Sequence, residues 1–438
     1  MSHNLTMKTA DYKHRIIEKT IKECLQYRGA ILVEGAKYCG KAATCEQFAK
    51  SILDMGNADD REQNLQLADI KPSLLLEGAT PRLIDEWQIA PRIWDEVRYE
   101  VDHRTGFGQF ILTGSAVPAD GSEMLHTGIG RFAWIKMRPM SLYESGESSG
   151  EISLAKLFSP GEGKDFFAKN KVDFKDLAFL VCRGGWPDSI FASEKYAGRG
   201  ALDYVDSIVK SDIIRVDNVS RNETMARQLL RSLARHQGTS VSFSALSKDI
   251  AEYGQIKMCR ESVSSYMKAL DRIFVTEDAP AWIPSLYSKA IVRTSSTRYF
   301  ADPSIAVAAL ALGPGDLAND VKTFGLLFKT FCIQDLRVYA QPLDGNVYHF
   351  RTQKGLECDA VVHLGDGRYA LVEIKLGGSG AIENAAKVLK SIASQIDTDK
   401  MREPSFLMVL VGDCPYAYRR PDGGVCSARG DAEGPKGP

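Results

Sequence analysis

Apolar positions in this chain fall into short runs whose spacing switches between helical and strand-like periods. Residues 12–29 set Ile16, Ile17, Ile21 and Leu25 among charges, which predicts an amphipathic helix. Ala30–Val33 is a continuous apolar run suited to a buried strand, and a helix is expected over Ala42–Ala49. The polar stretch around Asn57–Asn64 reads as a connection. Short apolar runs return before Asp85 and at Gln109–Leu112. Strand and helix thus alternate in the manner of a parallel sheet covered by helices. Residues 141–210 look helical and read as a lid on the same domain, with a tight turn at Arg183-Gly-Gly-Trp186-Pro187.

The pattern changes after Arg215. Met225–Ala234, Ser244–Ile250 and Arg260–Phe274 have helical spacing, and Phe274–Glu277 and Thr297–Phe300 read as strands, an order that suggests a winged helix. A further amphipathic helix, Val321–Leu336, precedes strands at Val347–Arg351, Cys358–Leu364 and Tyr369–Lys375, with another at Phe406–Val411. Gly423–Pro438 has no periodicity and is expected to be disordered.

With 438 residues there is room for two or three domains. Hydrophobic residues make up 44% and charged ones 25%, the balance of a soluble globular protein. A net charge of −1 argues against a polycation, but residues 215–298 hold thirteen Lys or Arg against eight Asp or Glu, leaving a local basic face. Nine cysteines without a CxxC pair exclude a zinc ribbon and disfavour a disulfide framework, so a reducing cytoplasm is expected. The first residues lack an apolar signal region, and Ile305–Leu312 is too short to span a bilayer, so no membrane association is expected.

The chemistry gathers around one loop. Gly35-Ala36-Lys37-Tyr38-Cys39-Gly40-Lys41 supplies both glycines and the closing lysine of a phosphate-binding loop. Its backbone N–H groups would turn toward phosphate oxygens, Lys41 would reach the terminal phosphates, and the next helix would aim its positive end at the same anion. The hydroxyl that should follow the lysine to ligate magnesium is missing, because Ala42 stands there. Thr44 lies about 200° further round the helix and cannot simply replace it. Asp85 and Glu86 end an apolar run where one carboxylate would serve Mg with ATP and its neighbour a water. Ser115 could orient that water, and Arg131, after the Gly128-Ile-Gly130 turn, is a candidate cation for transition-state charge.

A second constellation lies near the C-terminus. Glu373 and Lys375 leave one face of a strand, and Asp359 joins them only under one hairpin register. A two-residue Asp366-Gly367 turn would set Asp359 opposite Ile374, whereas a three-residue loop closed by Leu364 and Arg368 sets it opposite Glu373. The three-residue loop is expected, because a glycine can take its left-handed position. Asp359, Glu373 and Lys375 would then make a metal site suited to phosphodiester hydrolysis.

EGAKYCGK, PRLIDEW, FILTGSA, the GIGR and RPMSLYESGES run, CRGGWP, FGLLFKTFCIQDLRVYA and ECDAVV with YALVEIKLG occur in this order. In this combination the chain resembles the prokaryotic P-loop ATPases of AAA type that carry a C-terminal domain of unknown function related to PD-(D/E)XK nucleases. The resemblance runs from Tyr12 to about Tyr418. It implies an α/β chain with a P-loop NTPase domain over 1–210, a winged helix over 211–317 and a nuclease-like α/β domain over 318–420, followed by a tail over 421–438. It also implies ATP bound through Gly35–Lys41 and a Walker B pair at Asp85 and Glu86. Three positions depart from the family: Ala42 replaces Ser or Thr, Lys329 replaces a helix Glu, and the tail does not look like the closing strand. The reading is an ATP-binding protein with weak or impaired hydrolysis. The alternatives are a nucleotide-gated module for DNA or a protein partner, through Arg260, Ser264 and Lys268, and, last, a metal-dependent nuclease.

Overall fold

A computed structural model of the chain describes residues 12–116, 130–159, 167–217, 219–284, 295–428, 432 and 433. Its contacts divide these between two units. The first holds residues 12–35, 40–115 and 130–137, and the second holds 36–39 and the residues from 138 onward, with Ala116.

In the first unit five short strands pair in parallel: β1 (Ala30–Glu34), β2 (Ser51–Asp54), β3 (Arg82–Asp85), β4 (Phe110–Gly114) and β5 (Phe132–Lys136). Their order is β2-β3-β4-β1-β5. The apolar runs of β1 and β4 are buried throughout because helices cover both faces, as parallel sheets require. Leu32, Ile84 and Leu112 pack on one face with Trp87 and Trp94 from the segment after β3, and Phe132 stacks on Trp94 with centroids 4.0 Å apart. β2 is an element the pattern missed. Its four residues, SILD, are too few to show a period, and the stretch read as a connection starts the helix Arg61–Ile70.

Register sets which side chains can meet. Ala30 pairs with Phe110 and Phe132, while Glu34 pairs with Gly114 and Lys136. Asp54, Asp85 and Thr113 follow one another across β2, β3 and β4. All five strands therefore deliver their last residues to one edge of the sheet, the edge from which Gly35 departs.

The second unit is built on a seven-stranded sheet, in the order β7 (Phe167–Lys169), β12 (Tyr416–Arg419), β13 (Val425–Ala428), β11 (Phe406–Asp413), β10 (Tyr369–Gly377), β9 (Glu357–Leu364), β8 (Gly345–Arg351). The helix Ser379–Ala393 packs on it, sealing Tyr369, Leu371, Leu389 and Ile392. Two strands of this sheet correct the sequence expectation: β7 lies inside the stretch read as helical, and β13 lies inside the tail expected to be disordered. β13 is held between β11 and β12, with Cys426 fully buried. β6 (Ile152–Ser153) and β14 (Ala432–Glu433) form a separate parallel pair.

Between these strands lie three helices, Glu223–Arg235, Phe243–Gly254 and Arg260–Arg272, capped at Asn222 and Ser242 by side chains that accept backbone N–H bonds. Thr276 bridges Phe300 and Ala279 bridges Thr297, both antiparallel. The Arg183–Pro187 turn has a packing cause. A Cβ on Gly185 would lie 2.1 Å from the Met140 carbonyl, and the Gly185 N–H donates to buried Asp302 at 2.8 Å. Trp186 Nε1 donates to Ser304 beside it.

Candidate functional site

The chain leaves β1 at Gly35 and enters the helix Lys41–Glu46 through Gly40, whose φ of 97° is a left-handed value that residues with a Cβ rarely adopt. Lys41 is 7% exposed, and its ammonium donates to the Gly35 carbonyl at 2.9 Å, across the mouth of the loop. Ala42 offers only a methyl group at the next position. Thr44 is buried and accepts from the Tyr12 hydroxyl at 3.1 Å, so its oxygen is committed elsewhere. The four residues between the glycines, Ala36, Lys37, Tyr38 and Cys39, belong with the second unit. There Ala36 and Cys39 are buried and Lys37 pairs with Asp212.

β3 ends at Asp85, which accepts a hydrogen bond from the Thr113 hydroxyl on β4. Burial raises the Asp85 carboxyl above its usual range, and the Glu86 and Asp54 charges push the same way, while Thr113 and Lys41 oppose them. Lys41 is thus within electrostatic reach of Asp85, although β4 lies between β3 and β1, the strand that leads into its loop. Glu86 has a left-handed backbone, φ 53°, which turns it out of the strand direction. It accepts from Ser115 Oγ at 3.1 Å and from the Gln88 amide. Lys41, Asp85, Glu86 and Ser115 are therefore gathered at one edge of the sheet.

Arg131 is not with them. It immediately precedes β5, and its carbonyl accepts from the Ala30 N–H at 3.3 Å, at the start of β1. Five residues of strand, roughly 15 Å, separate that end of the sheet from the loop. Its guanidinium forms a two-point contact with Asp102, Nε to Oδ1 at 2.9 Å and the second amine to Oδ2 at 3.3 Å. The expectation that Arg131 stabilises transition-state charge is corrected by strand direction. Gly128 and Ile129 of the preceding turn lie outside the described residues.

Three neighbours of the site were not singled out from the sequence. Thr113 lies in the same hydroxyl-bearing stretch as Ser115 but was given no role of its own, yet it holds Asp85. Gln88 links Glu86 to Ser115, and its amide oxygen is buried without a partner. Glu46 lies one helical turn beyond Ala42. Burial raises its carboxyl, and Asp85 and Asp54 add like charge to the same effect. The i, i+4 spacing from Ala42 was a legible signal for Glu46.

These donors suit a triphosphate better than they suit magnesium. Lys41 and the backbone of the loop would hold the anion, and Asp85 would be the carboxylate to serve a metal, but Ala42 brings no oxygen and Thr113 already occupies one Asp85 lone pair.

In the second unit the hairpin turns on three residues, Gly365–Gly367. The Leu364 N–H donates to the Arg368 carbonyl at 2.8 Å, and Gly367 has φ 86°. Continuing the Tyr369–His363 and Val372–Ala360 pairs sets Asp359 opposite Glu373, as the expected loop requires. Lys329 Nζ donates to Asp359 Oδ1 at 2.6 Å, and Lys375 Nζ donates to Glu373 Oε1 at 2.9 Å. The remaining oxygens accept backbone N–H groups, Asp359 Oδ2 from Ile374 at 2.9 Å and Glu373 Oε2 from Asp359 at 3.1 Å. Burial, with the Asp359 charge, raises the Glu373 carboxyl to about 7, against the pull of Lys375. Burial works against the charge on Lys329, but Asp359 and Glu373 outweigh it and raise its pKa. Both carboxylates are thus neutralised from within, and no group of three or more metal-binding side chains occurs among the described residues.

Residues 27–146 match the model of an AAA domain. Residues 174–316 and 324–421 match two domains of unknown function, DUF8612 and DUF4143. No curated protein matches the chain. Among solved structures, the Walker-type ATPase paby2304 of Pyrococcus abyssi is 13% identical over 70% of this chain and 99% of its own, with a TM-score of 0.39, a likeness too distant to bear on function. The AAA-domain match spans β1 to β5 and supports a P-loop ATPase domain that binds nucleotide. No helix among the described residues is long and apolar enough to cross a membrane.

Proposed function

We propose that this protein binds ATP at Gly35–Lys41 and hydrolyses it slowly. The observation that carries the reading is the convergence of Lys41 with Asp85, Glu86 and Ser115 at one edge of a parallel sheet. Lys41 holds the terminal phosphates, Asp85 meets magnesium, and Glu86 with Ser115 orients the attacking water. Ala42 removes one magnesium ligand, which slows turnover more than it weakens binding, because the metal neutralises charge that builds up in the transition state. MgATP affinity measured by calorimetry tests the site. Lys41→Ala should lower affinity at least about tenfold, as expected for the loss of a charged hydrogen bond. Equal affinity in the two proteins would overturn the assignment.

A second reading is favoured by the helix Arg260–Arg272. It buries Val263, Met267 and Leu270 and leaves Arg260 and Lys268 exposed, with Ser264 partly so. With its two companion helices and the bridges at Thr276 and Ala279, it reads as a winged helix whose DNA or protein contact is set by nucleotide state. Residues 318–420 then read as a nuclease-like module without cleavage, because lysines already neutralise Asp359 and Glu373. A metal-dependent nuclease ranks last for the same reason.

A further inference from the structure

Lys37 and Tyr38 of the loop are held in the second unit by one continuous helical rod. Lys37 Nζ donates to Asp212 Oδ1 at 2.5 Å, and Ser207 Oγ donates to Asp212 Oδ2 at 3.3 Å. The Asp212 side chain is 5% exposed against 36% for Lys37, so an interior carboxylate takes its charge partner from the loop. The adjacent Tyr38 sets its ring edge-on to Tyr204, with centroids 6.3 Å apart. Tyr38 also has a left-handed backbone, φ 62°, which a residue with a Cβ keeps only when its surroundings enforce it. Asp212 closes a π-helical turn, Ile208–Asp212, set between the α-helical stretches Arg199–Ser207 and Ile213–Arg215. Such turns re-aim side chains away from their regular helical directions and recur at functional sites.

We infer that Asp212 is a positioning residue for the phosphate-binding loop, holding Lys37 so that Tyr38 keeps its left-handed conformation and the loop keeps its N–H groups convergent. The inference rests on the nucleotide reading of that loop. An anion site made of backbone amides works through preorganisation. A glycine-bounded segment without a tether samples many conformations, and the cost of ordering it falls on binding. Asp212 and Tyr204 bear that cost in advance.

A double-mutant cycle tests this. Asp212→Asn keeps shape and removes charge, and Lys37→Met removes the partner. Each single variant should weaken MgATP affinity by about tenfold, and the double variant should be no weaker than either, since both act through one contact. Lys37→Arg, which keeps the pair, should stay within about twofold of wild type. Without nucleotide, amide hydrogen exchange over residues 36–40 should quicken in both singles and stay unchanged in the helix Glu223–Arg235. Additive losses, or unchanged affinity and exchange, would overturn the inference. If wild type binds no MgATP but exchange responds as expected, the nucleotide reading fails and the tether stands. If Asp212→Asn does not fold, Lys37→Met with Lys37→Arg as its rescue decides the matter from the more exposed side of the pair.

Discussion

Lys329 places its ammonium 2.6 Å from Asp359, bridging the long helix Val321–Ala340 to β9. The pair is largely enclosed, with side chains 25% and 9% exposed. Removing one member of such a pair strands the other's charge, at a cost of about 3–5 kcal/mol. Lys329→Ala should therefore lower the stability of the second unit by an amount in that range, read from urea unfolding. Lys329→Met with Asp359→Asn should recover much of the loss, because no charge is left unpaired.

Glu373 gives that quartet a pH signature. Its carboxyl ordinarily titrates near 4.5 and is raised to about 7 in the folded protein, chiefly by burial. Between those values the native state keeps a proton that the unfolded chain has released, so this contribution to stability is full below 4.5 and lost as pH rises through 7. The span is on the order of 3 kcal/mol. Buried His349, whose pKa is lowered, has the opposite slope below 6.5. The quantity to measure is thus the difference between wild type and Glu373→Gln in denaturant unfolding from pH 4.5 to 8. A difference that does not vary with pH would refute the raised pKa.

Ala42→Thr restores a hydroxyl where the loop enters its helix. Turnover of MgATP should rise on the order of tenfold, with a smaller change in affinity, since the added ligand acts mainly on transition-state charge. Steady-state kcat and equilibrium Kd, measured on the same samples, separate the two effects. Unchanged turnover would mean that position 42 does not face the metal.

Arg260→Glu with Lys268→Glu tests the exposed face of the helix Arg260–Arg272. If that face enters a DNA groove, duplex binding should weaken steeply with salt, and the reversal should abolish it at low salt. Fluorescence anisotropy over a salt series reads both. A wild-type protein that binds no duplex at low salt leaves a protein partner as the occupant of this face.

What could be read from the sequence was what depends on neighbours in the chain. The glycine-bounded loop, the acids closing β3 and the three-residue hairpin are local arrangements, and Gly40 and Gly367 adopt the conformations their positions demand. Arg131 was misplaced because its distance from the loop depends on strand direction: a residue that leads into a parallel neighbour of β1 must lie at the far end of the sheet. β7 and β13 were invisible for a related reason. Three or four residues show no period, and each becomes a strand only through partners distant in sequence. Gln88 entered the site through its bond to Ser115 on a separate segment, whereas Glu46, one helical turn from Ala42, was within reach of the sequence.

β7 has a consequence for how this polypeptide can be taken apart. Its three residues come from upstream of the helical middle of the chain, yet they complete a sheet whose other strands lie past residue 344. Severing the chain near 318 to release the final module would strip β12 of a neighbour, leaving its amides and carbonyls open to self-association. The C-terminal module is therefore not a detachable cassette. It is sewn to segments that precede the helical middle twice, by β7 against β12 and by β6 against β14, so a chain that keeps all of these pairings must reach back at least to residue 152.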